Sequence, residues 1–264
     1  LGINGIFGGI GIGFGTLFAG YLIDKFNWQT AFILPGLISI VIGLLLFIAI
    51  LFGFISIQNS SIKKPIENFT RENLILIAMI LLFAMFALGF VFQILQTSAP
   101  KMIDLRLKDS FNISKMQVGF SVAFIYGFTG LTTLLGGIMA DYFSLKKIYL
   151  LGIIAQIPCY YFIASYSGIS LIVVCFLAVM FNSGILSAEN MLLAKLTPQK
   201  YHGMIYGLKF ILAFGAGPLA VYYVSKVYEY TNEFIILFLS CSIILLITAT
   251  LTFFLPINEN KINR

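Results

Sequence analysis

The sequence predicts an all-α polytopic membrane protein with eight transmembrane helices, and three observations carry that expectation. Of its 264 residues, 60% are hydrophobic and only 10% are charged, with a mean hydropathy of +1.01, an apolar balance that soluble domains do not show. The apolar residues fall into runs, each about as long as the roughly 20 residues needed to cross the hydrocarbon core of a bilayer. Within the runs there is none of the polar/apolar alternation that a membrane β-barrel requires.

The first run, about Gly2 to Ile23, is dense in glycine. Gly5, Gly9, Gly11, Gly13 and Gly15 give it a flat face suited to close helix packing. Trp28 stands in the following turn as an interfacial aromatic, and a second run extends from about Thr30 to Ile57. Gln58–Asn73 is the longest polar stretch and divides the chain into residues 1–57, a 58–73 linker and residues 74–264. The third run is expected over Leu74–Ser98, followed by an amphipathic loop, Ala99–Lys115. The fourth covers Met116–Ala140, the fifth Ile148–Ser165, the sixth Ile169–Ala194, the seventh Gly203–Ser225 and the eighth Glu233–Leu255. With alternating loops, the linker and tail share one face with Lys146, Lys147, Lys195 and Lys200. That face holds nine basic residues against six on the other, which makes it the cytoplasmic one.

The formal charge of +6 is explained by loop lysines and arginines that set topology, so nucleic acid is not an expected partner. Cys159, Cys175 and Cys241 lie inside apolar runs without metal-ligand spacing, and the one histidine, His202, sits in a loop. No metal, cofactor or catalytic constellation is expected, and no phosphate-binding G-x-x-x-x-G-K-[ST] loop occurs. These features argue against an enzyme and against a nucleotide-driven pump.

Gly136–Lys147, reading GGIMADYFSLKK, joins two runs by a turn of a few residues and forces them antiparallel. It resembles the G-x-L-x-D-R-x-G-R-K loop of the major facilitator superfamily. Gly137, Met139 in the leucine place, Asp141 and Lys146 follow that pattern, while Tyr142, Ser144 and Leu145 depart from it. Gly11-x-x-x-Gly15-Thr16-x-x-Ala19-Gly20 is similar to the family's G-x-x-x-G-P-x-x-G-G signature, with threonine in place of proline. His202-Gly203-x-x-Tyr206-Gly207-Leu208 looks like the start of its eleventh helix. An internal repeat runs parallel to this resemblance: a shift of 202 positions lays Gly5 on Gly207, Gly13 on Gly215 and Gly15 on Gly217.

The resemblance implies a major-facilitator-type helical bundle in which the eight runs match the family's fifth to twelfth helices, a partial chain that would act as a monomer when full length. It also implies a secondary transporter that moves a small solute across the cell membrane by alternating access, with protons as coupling ion and the lipid bilayer as its surroundings. The alternative is a transporter-like sensor that binds a solute without moving it. Gly137, Asp141, Lys146 and Lys147 would form a gating loop, with Asp141 close to the start of the first run. Gly207, Gly215 and Gly217 join the packing glycines of the first run.

Ionisable residues within the walls of such a bundle are functional candidates. Glu189 and Lys209 qualify, on antiparallel neighbours and roughly 10–12 Å deep at 1.5 Å per residue. Either a structural pair or a proton-coupling pair fits that placement, and Lys209 alone could contact substrate. Asn182, Leu186 and Glu189 are expected on one helical face by their spacing. Gln93, Gln96 and Tyr126 complete the candidate set.

Overall fold

The computed structural model describes residues 2–54, 71–108, 115–197 and 201–255. Among them are nine helices: α1 (Gly2–Lys25), α2 (Thr30–Leu51), α3 (Arg71–Lys108), α4 (Lys115–Gly127), α5 (Thr129–Tyr142), α6 (Leu145–Ser165), α7 (Gly168–Leu196), α8 (His202–Thr231) and α9 (Ile235–Phe253). Seven segments of the described residues are long and apolar enough to cross a membrane, with α4 and α5 counted as one span, and α1 adds a further helix of 24 residues. The protein is an all-helical, multi-pass membrane protein. Most of the expected Gln58–Asn73 linker lies outside the described residues.

Three boundaries differ from the sequence reading, each for a local reason. The second run stops at Leu51 rather than Ile57, because Gly53 takes a left-handed conformation at φ 72° that ends the helix. The expected loop after Ser98 is instead the last part of α3, which runs on to Lys108. Ala99, Met102, Ile103 and Leu107 recur at helical spacing and are buried, so the amphipathic pattern belongs to a helix with one packed face. The fourth run is broken at Phe128, near the middle of the span Gln117–Tyr142, where φ −93° and ψ 0° depart from helical values.

Two compact units are present: Leu1–Gly13 with Lys64–Arg264, and Phe14–Lys63. In the smaller unit, Asn27 Oδ1 accepts from the backbone N–H of Thr30 at 2.9 Å and from its hydroxyl at 2.8 Å, turning the chain into α2. None of the residues of α2 is buried.

The core of the larger unit lies among α3, α6, α7 and α9. Its interfaces are built on small residues. A Cβ placed on Gly136 of α5 would lie 1.8 Å from the Gly184 carbonyl oxygen of α7, so two backbones meet there without side chains between them. The crossing is tied by the Thr133 hydroxyl, which donates to the Ser183 carbonyl at 3.1 Å, and by the Ser187 hydroxyl, which donates back to the Thr133 carbonyl at 3.0 Å. On α3 and α8, Gly89 faces Ala213 and Gln93 faces Gly217, a parallel register stepping by one helical turn. Two cations close helix ends on opposite sides of the unit. Arg106 at the end of α3 donates to the carbonyls of Ile163 (2.6 Å), Ala164 (3.1 Å) and Tyr166 (3.2 Å) and pairs with Glu233 at 3.3 Å, capping α6. Lys146, at the start of α6, donates to the Leu255 carbonyl at 2.7 Å, just past the end of α9.

Candidate functional site

The polar residues inside the larger unit are organised by one antiparallel register between α6 and α7. Tyr149 faces Glu189, Gly152 faces Ile185, and Gln156 faces Asn182. The middle step is apolar: a Cβ on Gly152 would come within 2.0 Å of Ile185 Cγ2, so the glycine exists to admit that side chain. Two polar layers remain, about two turns apart.

The layer nearer the end of α7 holds the ion pair. Lys209 Nζ of α8 lies 2.6 Å from Glu189 Oε1 of α7, and both side chains are only 6% exposed. The Tyr149 hydroxyl of α6 donates to the other carboxylate oxygen, Oε2, at 3.0 Å. Lys209 Nζ makes a second, short hydrogen bond to the amide oxygen of Asn190, and the Tyr206 hydroxyl donates to the Asn190 backbone carbonyl at 2.8 Å. Three helices thus converge on one carboxylate. Glu189 has a cation on one oxygen and a phenol on the other. Lys209 has a charged and a neutral acceptor side by side.

Such a pair is costly to bury and costly to break. Removing one partner leaves an uncompensated charge, a penalty of about 3–5 kcal/mol, whereas removing both is far milder. Glu189 lies seven residues before the end of α7 and Lys209 seven after the start of α8, so each is about 10 Å in from its helix end. The sequence brought these two to the same depth, and the structure brings them into contact. Tyr149 and Asn190 were missed. A tyrosine and an asparagine at helix positions carry no distinguishing pattern until α6 and α8 are placed around Glu189.

The other layer is neutral. The Asn182 amide donates to the Gln156 side-chain oxygen at 3.2 Å, and Gln156, which is fully buried, donates to the Gly152 carbonyl at 3.0 Å. Asn182 and Glu189 do share a face, but it is the face toward α6. Ile185 lies between them there, while Leu186 is 42% exposed and points elsewhere. Gln93 is half-buried, its amide nitrogen 3.2 Å from where a Gly217 side chain would begin. Gln96 is half-buried on the same helix. Tyr126 is fully buried, edge-on to Phe92 with ring centroids 5.7 Å apart, and its hydroxyl has no hydrogen-bond partner among the described residues.

The loop singled out in the sequence is short: Phe143 and Ser144 alone separate α5 from α6. Ser144 caps α6 by accepting from the Lys147 backbone N–H at 3.3 Å. Asp141 and Lys147 are exposed, and Lys146 is half-buried against the end of α9. Tight packing falls on Gly136. The side chains of residues 2–6, next to which Asp141 was expected, lie outside those described.

A Cβ on Gly11, Gly15, Gly207 or Gly215 would meet nothing within 4 Å, and only Gly217 has a close neighbour. Glycine density in lipid marks faces that permit close approach, but approach also needs an opposing helix. Gly5, Gly9 and Gly13 fall where side-chain surroundings are not described.

The family model that matches this chain is that of the Major Facilitator Superfamily, over residues 1–108 and again over residues 74–263. No curated protein matches the chain.

Proposed function

Because the chain belongs to the major facilitator superfamily and is a multi-pass membrane protein, we propose that it is a secondary active transporter whose buried Glu189–Lys209 pair couples solute movement to protons. The observation that supports this most is the pair itself, a carboxylate that three helices converge on, deep in a helical bundle. In such a scaffold, a group that changes charge biases how the helices that hold it pack together. Deprotonated, Glu189 holds α7 to α8 through Lys209 and to α6 through Tyr149. Protonated, it loses the ionic bond to α8 and releases one of those ties.

On this reading residues 1–57 supply the last two helices of an N-terminal bundle, 58–73 a cytoplasmic linker and 74–264 a C-terminal bundle. The linker and tail face the cytoplasm from a cell membrane, and the full-length protein works as a monomer. Gln93, Gln96, Asn182 and Tyr126 line the half of the solute path this chain contributes. Gly137, Asp141, Lys146 and Lys147 act as the gating loop, with Lys146 holding α9 in place.

The test is a double-mutant cycle in proteoliposomes, with Glu189→Gln, Lys209→Met and their combination. Each single variant is expected to lose folded yield, by about 3–5 kcal/mol where burial is complete, and the double variant to regain it. Solute counterflow in folded Glu189→Gln protein, which keeps the Lys209 ammonium, should persist without responding to an imposed pH gradient. Simple addition of the two single effects on folding, or a pH response that survives in Glu189→Gln, would remove the coupling role.

A further inference from the structure

We propose that the Tyr149–Glu189–Lys209–Asn190 cluster is a proton-linked anion site, and that the solute it serves carries a single carboxylate. The inference rests on the transport reading above and specifies its substrate class.

Charge balance limits what this cluster can bind. Among the described residues, the groups bonded to the Glu189 carboxylate are Lys209 from α8 and Tyr149 from α6, and Tyr206 from α8 reaches the adjacent Asn190 backbone. The other elements packed against α7 add no charge at this depth. α5 presents Thr133 against Ser187, α4 has no charged residue between 117 and 127, and α3 carries its charges only at its two ends, Arg71 and Glu72 at one and Lys101, Asp104, Arg106 and Lys108 toward the other. The cluster is therefore neutral, one carboxylate against one ammonium. A buried site pays heavily for net charge and tends to return to neutrality.

When Glu189 takes a proton, the cluster becomes cationic. Lys209 does not lose all its partners, because the Asn190 amide oxygen already accepts from it. A buried ammonium has three donors to satisfy, and Asn190 serves one of them whatever the charge on Glu189. That amide holds the ammonium in place through the step in which its carboxylate is gone. Two donors are then left facing the space the charge occupied: the Lys209 ammonium and the Tyr149 hydroxyl, which bracket the two oxygens of one carboxylate in the present structure. A solute carboxylate finds the same pair of donors, and its negative charge restores neutrality.

The balance closes. One proton binds Glu189 and one anion binds beside Lys209, so the loaded cluster carries the same net charge as the empty one. By linkage each ligand tightens the other. An uncharged solute would leave the protonated cluster cationic, and a cation would make it worse.

The experiment uses the full chain in lipid nanodiscs, with lactate and benzoate as probes and thermal stabilisation measured at pH 5.5 and 7.5. One-proton linkage predicts affinity rising by up to about tenfold for each pH unit lowered. Glu189→Gln, which mimics the protonated acid, should bind equally at both pH values, and Lys209→Met should not bind at either. If those variants fail to fold, Tyr149→Phe keeps the ion pair while deleting one donor, and should weaken binding severalfold with the pH slope intact. Equal affinity at the two pH values, no binding of either probe, or full binding by Lys209→Met or Tyr149→Phe overturns the site. Pyranine-loaded proteoliposomes then separate the two readings. pH-dependent binding without proton-linked flux overturns transport and leaves the anion site, whereas flux of uncharged solutes without carboxylate binding does the reverse.

Discussion

α2 and α7 are both long and apolar enough to cross a membrane, yet they sit in their surroundings in opposite ways. α2 is the most apolar of the seven spans and has no buried residue, while α7 is less apolar and buries twelve, among them Ser183, Ser187 and Glu189. In water this order would be reversed. In a bilayer the lipid tails are as apolar as leucine, so greasiness draws nothing inward, and helices associate through close packing and hydrogen bonds. α7 offers both: Gly184 against Gly136, serines bonded across to Thr133, and a carboxylate bonded to two other helices. In α2, Gly36 and Gly43 meet nothing within 4 Å and Ser39 bonds only back to the Pro35 carbonyl.

The sharpest way to break that contrast is to spoil the close approach on α7. Gly136→Val sets side-chain carbon against the Gly184 carbonyl, a backbone group that cannot swing away, so α5 and α7 must part and the Thr133–Ser183 and Ser187–Thr133 cross-bonds go with them. The expected loss exceeds the roughly 1–3 kcal/mol typical of overpacked cores. Fluorescence-detected size-exclusion after heating should show little folded protein at temperatures where the parent is intact. A near-parental melting profile would mean that α5 and α7 do not cross at this glycine.

A smaller effect is expected at the end of α6. Arg106→Gln removes a guanidinium that satisfies three carbonyls, and hydrogen bonds from charged donors contribute about 1.5–3 kcal/mol. Glu233→Gln should cost under about 1 kcal/mol, because Glu233 is 55% exposed and such a pair is screened by water. If the two substitutions cost the same, the ion pair rather than the helix cap is what Arg106 provides.

The contrast between α2 and α7 also marks what the sequence could say. Spans were legible because a run of about 20 apolar residues has no other stable home, and the depth of Glu189 and Lys209 followed from counting residues to the helix ends. Which face of each helix turns inward was not legible, since apolar periodicity is uninformative where lipid and core are alike. Leu186 was placed beside Glu189 by spacing, yet Ile185 fills that position because Gly152 makes room for it. Likewise Gly11 and Gly215 read as packing residues, but a glycine is silent about whether a partner helix stands opposite. Tyr149 and Asn190 became visible only once three helices were placed around one carboxylate.

The smallest expected effect is the most demanding test of the contrast. Gly43→Ala and Gly36→Ala on α2 add methyl groups into open surroundings, where the substitution also favours helix by about 1 kcal/mol in water. Within a bilayer, where backbone hydrogen bonds are satisfied inside the helix in either case, that preference is muted, and each change should move stability by no more than about 0.5 kcal/mol. The reading is a melting temperature in nanodiscs, taken beside Gly136→Ala as the packed control. Should Gly43→Ala destabilise as strongly as Gly136→Ala, a protein surface covers α2 at that glycine, and its apolar face is an interface rather than a lipid-facing one.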